Sequence, residues 1–206
     1  MGSDCLIRIV VLISGRGSNL KAIIDAIAAG QIDGSIVAVV SSAPEVPGLL
    51  YAKENNIPVA ILSRKPDSNP DLYGDAMAEL IAPYNPDLVL TAGFMYLLRG
   101  HFLERYQGKI MNIHPALLPA FPGAHPHRDV LRYGAKISGC TVHFVDGGID
   151  SGPIILQEAV PVLPDDDEDN LAARVLQVEH RLFPLAVSLF AQGRLQIEGR
   201  KVRILD

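Results

Sequence analysis

A doubly wound α/β fold on a mostly parallel sheet is predicted for this chain by three observations. Short apolar runs rich in Val and Ile alternate with amphipathic segments of helical spacing through most of its length. A glycine-bearing loop, Ser14 to Leu20, joins the first apolar run to the first helical segment. From residue 138 two strand-like runs are joined by a glycine-rich turn, which predicts a mixed, antiparallel C-terminal part.

In chain order, residues 6–14 (LIRIVVLIS) form a continuous β-branched run, as expected of a strand buried on both faces. Residues 19–30 have helical spacing and stop at Gly30. Residues 35–42 predict a strand, 46–56 a helix and 57–63 a strand. Residues 71–84 are amphipathic and end short of Pro86. Residues 87–93 and 108–114 predict two more strands, and 127–134 a short helix. Residues 138–162 carry the two antiparallel runs. Residues 168–193 predict a long helix whose acidic start, 165–169, suits the helix dipole, with Pro184 as a candidate kink.

The chain has 206 residues, 49% of them hydrophobic, enough to bury a full core. Its net charge is −5 and no basic block occurs, which argues against a nucleic-acid groove. Cys5 and Cys140 make no disulfide framework and no zinc-like spacing, so a reduced, cytoplasmic setting is expected. The first apolar run is too short to span a bilayer and lacks the flanks of a signal peptide.

The loop SGRGSNL (14–20) lies where a helix N-terminus offers free N–H groups to an anion. Gly15 and Gly17 permit close backbone approach, and Ser18 is placed to cap the helix. Leu20 stands where a dinucleotide fingerprint needs its third glycine, and the Gly-Lys-Ser/Thr end of a P-loop is missing. On its residues alone the loop is equally a tight turn with a helix cap or a monophosphate site.

Asn112 and His114 close a predicted strand, at the sheet end where open α/β folds bind ligands. An amide and a cationic imidazole are two donors suited to a carbonyl oxygen that gains charge during attack. One such donor is worth roughly 2.7–4 kcal/mol of transition-state stabilisation. Free histidine titrates near about 6.5. A nearby carboxylate favours the cation, and Asp150, in the turn GGIDSGP (147–153), is the best candidate. Pro115, Pro119 and Pro122 stiffen the segment after His114. His125 and His127 have no third partner in sight, so no metal is expected. His143 alternates within a strand and is expected to be structural. Taken singly, Asp150 is a turn former and each histidine a satisfied polar residue.

Several stretches together resemble the phosphoribosylglycinamide formyltransferase family of folate-dependent enzymes. They are VVLISGRGSNL, TAGFMYLL, MNIHPALLPAFPGAHPHRDVLRYG, TVHFVDGGIDSGPIILQ and RVLQVEHRLFP, in order over nearly the whole chain. The resemblance implies a Rossmann-like formyltransferase fold, with 1–206 one domain, 1–107 its phosphate-binding half and 108–206 its catalytic and folate-binding half. It implies transfer of a formyl group from 10-formyltetrahydrofolate, as co-substrate, to the amine of 5'-phosphoribosylglycinamide in purine synthesis. Gly17, Ser18 and Asn19 would hold the phosphate and Glu179 the ribonucleotide. Met95, Tyr96, Leu97 and Leu98 would line the folate pocket, with Asp146, Gly147, Gly148, Ile149 and Asp150 facing the pterin. Asn112 and His114 would flank the formyl carbon and stabilise the oxyanion. Asp150 would raise the pKa of His114 and keep it protonated, with His125 close by. The implied partners are small molecules, with no nucleic acid, membrane or metal, in a monomer or homodimer.

Three positions depart from the family's pattern. Tyr96 stands where Arg is usual, an Arg expected near 66–71 is absent, and Leu176 replaces a polar or basic residue. Methionyl-tRNA formyltransferase and formyltetrahydrofolate deformylase are the nearest rivals, each normally carrying a further domain. A non-catalytic nucleotide-binding module is the rival of another class.

Overall fold

The first strand, β1 (Ile7–Ile13), shows why the sheet lies at the centre. Ile9, Val11 and Ile13 on one face, and Val10 and Leu12 on the other, are all fully buried. A strand apolar on both faces needs a helical layer on each side. α1 (Ser18–Ala28) and α6 (Glu168–Ala191) cover the first face through Leu20, Ile23, Val175 and Phe183. α3 (Pro70–Ile81) and α4 (His101–Arg105) cover the second through Met77, Ile81 and Phe102. The structure is a computed structural model and describes residues 6–64 and 69–206.

The remaining strands are β2 (Gly34–Ser41), β3 (Val59–Ile61), β4 (Leu88–Thr91), β5 (Ile110–His114), β6 (Ile137–Phe144), β7 (Ile154–Pro161), β8 (Leu195–Glu198) and β9 (Lys201–Ile204). The shorter helices are α2 (Leu49–Glu54) and α5 (Pro126–Tyr133). One sheet runs in the order β3-β2-β1-β4-β5-β6-β7-β9-β8. Its first five strands are parallel, β6 and β7 run antiparallel to their predecessors, and β9 returns parallel to β7. The order reverses beside β1, whose neighbours are β2 and β4. A crevice therefore opens at the carboxyl ends of β1 and β4, where such sheets bind ligands.

The predicted doubly wound fold with an antiparallel C-terminal part is the observed one. Several boundaries differ for local reasons. α2 starts only at Leu49, because Val46 to Gly48 form a turn in which Val46 and Pro47 carbonyls accept from Leu49 and Leu50. α3 begins one residue early, with Pro70 at its first turn and the Asn69 side chain accepting from the Asp71 N–H at 2.8 Å. It tightens into a 3-10 turn over Ala82–Tyr84, where Pro83 supplies no N–H. The predicted kink at Pro184 does not break α6, whose helical span continues to Ala191 with Pro184 buried. α4, β8 and β9 were not expected. Cys140 is a buried free thiol, and Cys5 lies outside the described residues.

Candidate active site

Strand register assembles a polar row. β4 and β5 set Thr91 beside Asn112, and β5 and β6 set Asn112 beside His143. Their neighbours Leu90, Met111, Ile113, Val142 and Phe144 belong to the core under α1 and α6. Alternation therefore turns the row toward the opposite face. The Thr91 hydroxyl donates to Asn112 Oδ1 at 2.7 Å, and Asn112 Nδ2 lies 3.1 Å from His143 Nε2. His143 Nδ1 lies 2.8 Å from the Phe144 carbonyl, which can only accept, so Nδ1 carries the hydrogen. Nε2 then accepts from Asn112. Burial holds His143 below its ordinary pKa, against the opposing pull of that carbonyl and of Asp150, so the ring is neutral. Asn112 is clamped from both sides and keeps one N–H without a protein partner among the described residues.

Two residues on, the same strand face carries His114. Its Nδ1 lies 3.4 Å from Asp150 Oδ2, and its Nε2 lies 2.8 Å from the Phe121 carbonyl. Both ring nitrogens thus face acceptors, an arrangement suited to a ring with a hydrogen on each. Asp150 Oδ2 also accepts from the Gly123 N–H at 2.8 Å. Asp150 sits in the left-handed region, at φ 48°, which Asp tolerates better than most residues. The turn before it is tied by Asp146, whose Oδ1 accepts from the Gly148 N–H and the Ser151 hydroxyl.

These groups border a cavity of about 400 Å³. Asn112, His114, the whole turn from Asp146 to Asp150, and Met95 to Leu98 all line it. Asn19 and Glu179 enter from the α1–α6 side. Asn19 Nδ2 donates to Glu179 Oε2 at 2.7 Å, while Asn19 Oδ1 is buried without a partner. Burial raises the Glu179 pKa, opposed by the Asn19 bond.

Three sequence expectations need correction. Ser18 does not cap α1: Gly17 takes the N-cap position at φ 71°, with no side-chain bond, and Ser18 begins the helix. Gly17 and Ser18 lie outside the cavity of Asn112 and His114; Ser18 borders a more open one with Lys21, Tyr51 and His180. His125 is exposed and does not reach Asp150; the Gly123 N–H binds there instead. His143 is part of the site rather than mere scaffold. Thr91, Phe121 and Gly123 were not singled out. Pairing them with Asn112, His114 and Asp150 needed the register of β4, β5 and β6 and the path of the 115–123 loop.

At the departing positions, the Tyr96 ring packs edge-on against Phe94 and carries the Arg64 guanidinium 5.0 Å from its centre. Leu176 lies part-buried on α6, the helix that carries Glu179. Residues 66–68 of the third position lie outside the described residues. Among the described residues, no three His, Cys, Asp or Glu side chains gather as a metal would require. None of the described helices is long and apolar enough to cross a membrane.

Compared with known protein families, residues 7–187 match the formyl transferase family. The chain is 44% identical over 190 residues to the phosphoribosylglycinamide formyltransferase of Escherichia coli (strain K12), covering 92% of this chain and 90% of that one. It is 45% identical over 188 residues to the trifunctional purine biosynthetic protein adenosine-3 of Drosophila melanogaster. That match covers 90% of this chain and 14% of the longer protein. The crystal structure of glycinamide ribonucleotide transformylase 1 from Symbiobacterium toebii matches with a TM-score of 0.95 at 47% identity, over 100% of this chain and 96% of that one. By sequence and by fold, the chain belongs to the formyl transferase family, among its phosphoribosylglycinamide formyltransferases.

Proposed function

We propose that the chain transfers the formyl group of 10-formyltetrahydrofolate to the amine of 5'-phosphoribosylglycinamide. The products are 5'-phosphoribosyl-N-formylglycinamide and tetrahydrofolate, on the route to purines. The observation that carries this reading is the clamped Asn112, held by Thr91 and His143 with one N–H left toward the cavity. A preset donor costs no reorganisation when charge develops, which is why such groups accelerate acyl transfer.

The ribonucleotide enters from the α1–α6 side. The free N–H groups of Ser18 and Asn19, behind Gly17 at the α1 N-terminus, hold its phosphate. Asn19 Oδ1, now unpartnered, and Glu179 hold the rest of the nucleotide. The folate lies along Met95 to Leu98 and the 146–150 turn, whose exposed Met95 and Ile149 gain an apolar partner. The substrate amine attacks the formyl carbon. Asn112 donates to the oxygen as it becomes negative. His114 adds a second donor once its Nε2–H leaves the Phe121 carbonyl. Asp150, 3.4 Å from the other ring nitrogen, orients the imidazole. As the tetrahedral intermediate collapses, the bond from the formyl carbon to N10 breaks, and the amine's proton passes to N10 through His114 or an ordered water. We assign these roles to one domain, residues 1–206, working in the cytoplasm as a monomer or homodimer without a metal.

Purified protein given both substrates is expected to release tetrahydrofolate, followed by absorbance. No product with the ribonucleotide, or formylation of initiator Met-tRNA instead, would overturn the reading.

A further inference from the structure

Three loops meet at one hydroxyl. Ser14 follows β1 and opens the loop that leads to the α1 N-terminus. Its Oγ accepts from the Met95 N–H at 3.0 Å and from the Ser42 hydroxyl at 2.8 Å. A serine oxygen has two acceptor sites, so both are filled. The Ser14 N–H donates to the Gly93 carbonyl at 3.1 Å. Ser42, directly after β2, donates its own N–H to the Ile13 carbonyl at 3.1 Å. The loops after β1, β2 and β4 are thus tied together where the strand order reverses.

The two sides of this tie differ in how firmly they are held. After β1 the loop is one piece: the Gly15 carbonyl accepts from the Gly48 N–H at 3.1 Å, and Gly17 lies against Gly48. After β4 the cavity wall has a single backbone anchor. Among the described residues, the Met95 N–H is the only backbone group from Phe94 to Leu98 that makes a hydrogen bond. Phe94, Tyr96 and Leu98 pack on the core beside Met77 and Phe102, while Met95 and Leu97 are exposed. A segment with so few backbone bonds has freedom to lose when a ligand lies on it. Ser14 does not line the cavity itself, so its influence runs through what it holds.

Resting on the proposed reaction, we infer that Ser14 is a positioning residue that couples the two substrate sites, so that each ligand tightens the other. A ribonucleotide seated at the α1 N-terminus steadies the loop that begins with Ser14. The Ser14 oxygen then holds Met95 in place, and with it the wall against which the folate lies. The second ligand finds part of its site already ordered and loses less freedom on binding. Linkage makes the effect mutual, with one factor for both directions. In return the tie sets the spacing between the two sites, on which the meeting of amine and formyl carbon depends.

The test uses a pair that cannot react, 5'-phosphoribosylglycinamide with tetrahydrofolate, which has no formyl group to give. Calorimetric titration of each ligand, alone and with the other saturating, yields the coupling factor. In the wild type each ligand is expected to tighten the other roughly fivefold. Ser14→Ala removes the acceptor, and its factor should fall to near one while each ligand alone binds almost as tightly as before. Ser14→Cys, with a weaker acceptor of similar shape, should give an intermediate factor, and it carries the test if the alanine variant does not fold. A wild-type factor of one, or the wild-type factor retained in the variants, would overturn the inference while leaving the formyl transfer intact. So would an equal loss of affinity for both ligands taken alone, the mark of a merely damaged loop. Binding of neither ligand to the wild type would instead sink the proposed reaction, and this inference with it.

Discussion

Asn112 is a carboxamide whose direction is set by a chain of neighbours. The Phe144 carbonyl fixes the hydrogen on His143 Nδ1, His143 Nε2 accepts from Asn112, and Thr91 supplies the opposite end. His143→Leu removes the acceptor and frees the amide to rotate. Turnover is expected to fall roughly 10–100-fold, the scale seen when partners that orient a reactive group are lost. His143→Gln, which can still accept, should recover part of it. Steady-state kinetics with circular dichroism on each variant checks this, and equal turnover in wild type and His143→Leu would remove His143 from its role. At this scale the sequence made Asn112, His114 and Asp150 legible, because a strand end and a glycine-flanked acid are visible in one dimension. His143 and Thr91 were not. Their meaning lies in which residues face one another across strands, and that pairing is not written in either strand alone.

Among the elements, the loop between β1 and α1 shows two glycines with different reasons to exist. A Cβ on Gly17 would stand 2.5 Å from Gly48 Cα, and its φ of 71° is unfavourable to other residues. Gly15 has nothing within 4 Å of the same built atom. Gly17→Ala is expected to cost about 1–3 kcal/mol of stability, and Gly15→Ala less than about 0.5 kcal/mol. Urea denaturation of the two variants separates them; similar losses would refute the packing argument. The close contact also explains why a glycine rather than Ser18 caps α1. Long elements were easy to anticipate, since seven or more residues display a period. Length alone does not decide: β3 and β4, with 3 and 4 residues, sit in longer apolar runs that were legible, whereas α4, with 5, and β8 and β9, with 4 each, lie in mixed sequence. The β8–β9 pair did leave a trace, an alternating LQIE and KVRI around Gly199, of the kind that marks a hairpin.

For the molecule as a whole, one buried and two half-buried histidines tie stability to pH. His127, His143 and His180 are all held below the ordinary value of 6.5, each chiefly by burial. Below that value the unfolded chain takes up protons that the folded chain refuses. Their contribution is therefore complete above 6.5 and is lost as pH falls through the lowered folded values. Glu179 works the other way. Burial raises its pKa above 4.5, so the folded state holds the extra proton and its contribution fades as pH rises. The melting temperature is expected to fall from pH 7.5 to 5.5; in Glu179→Gln the opposing gain, which grows as pH falls toward 4.5, is absent. A flat profile by calorimetry in both proteins would contradict this. The sheet order was legible only in outline. Alternating patterns predicted parallel strands, but the placement of β9 and β8 beyond β7 comes from tertiary packing that no local pattern encodes.

The antiparallel seam between β5 and β6 has a last consequence, for how the proposed site can err. Sliding β6 by a single position would turn His143 away from Asn112. The same slip would expel Cys140, Val142 and Phe144 from the interior, since side chains change sides with every step. A misaligned and idle enzyme would thus also be an unstable one. The chemistry borrows its accuracy from greasy side chains that never meet a substrate.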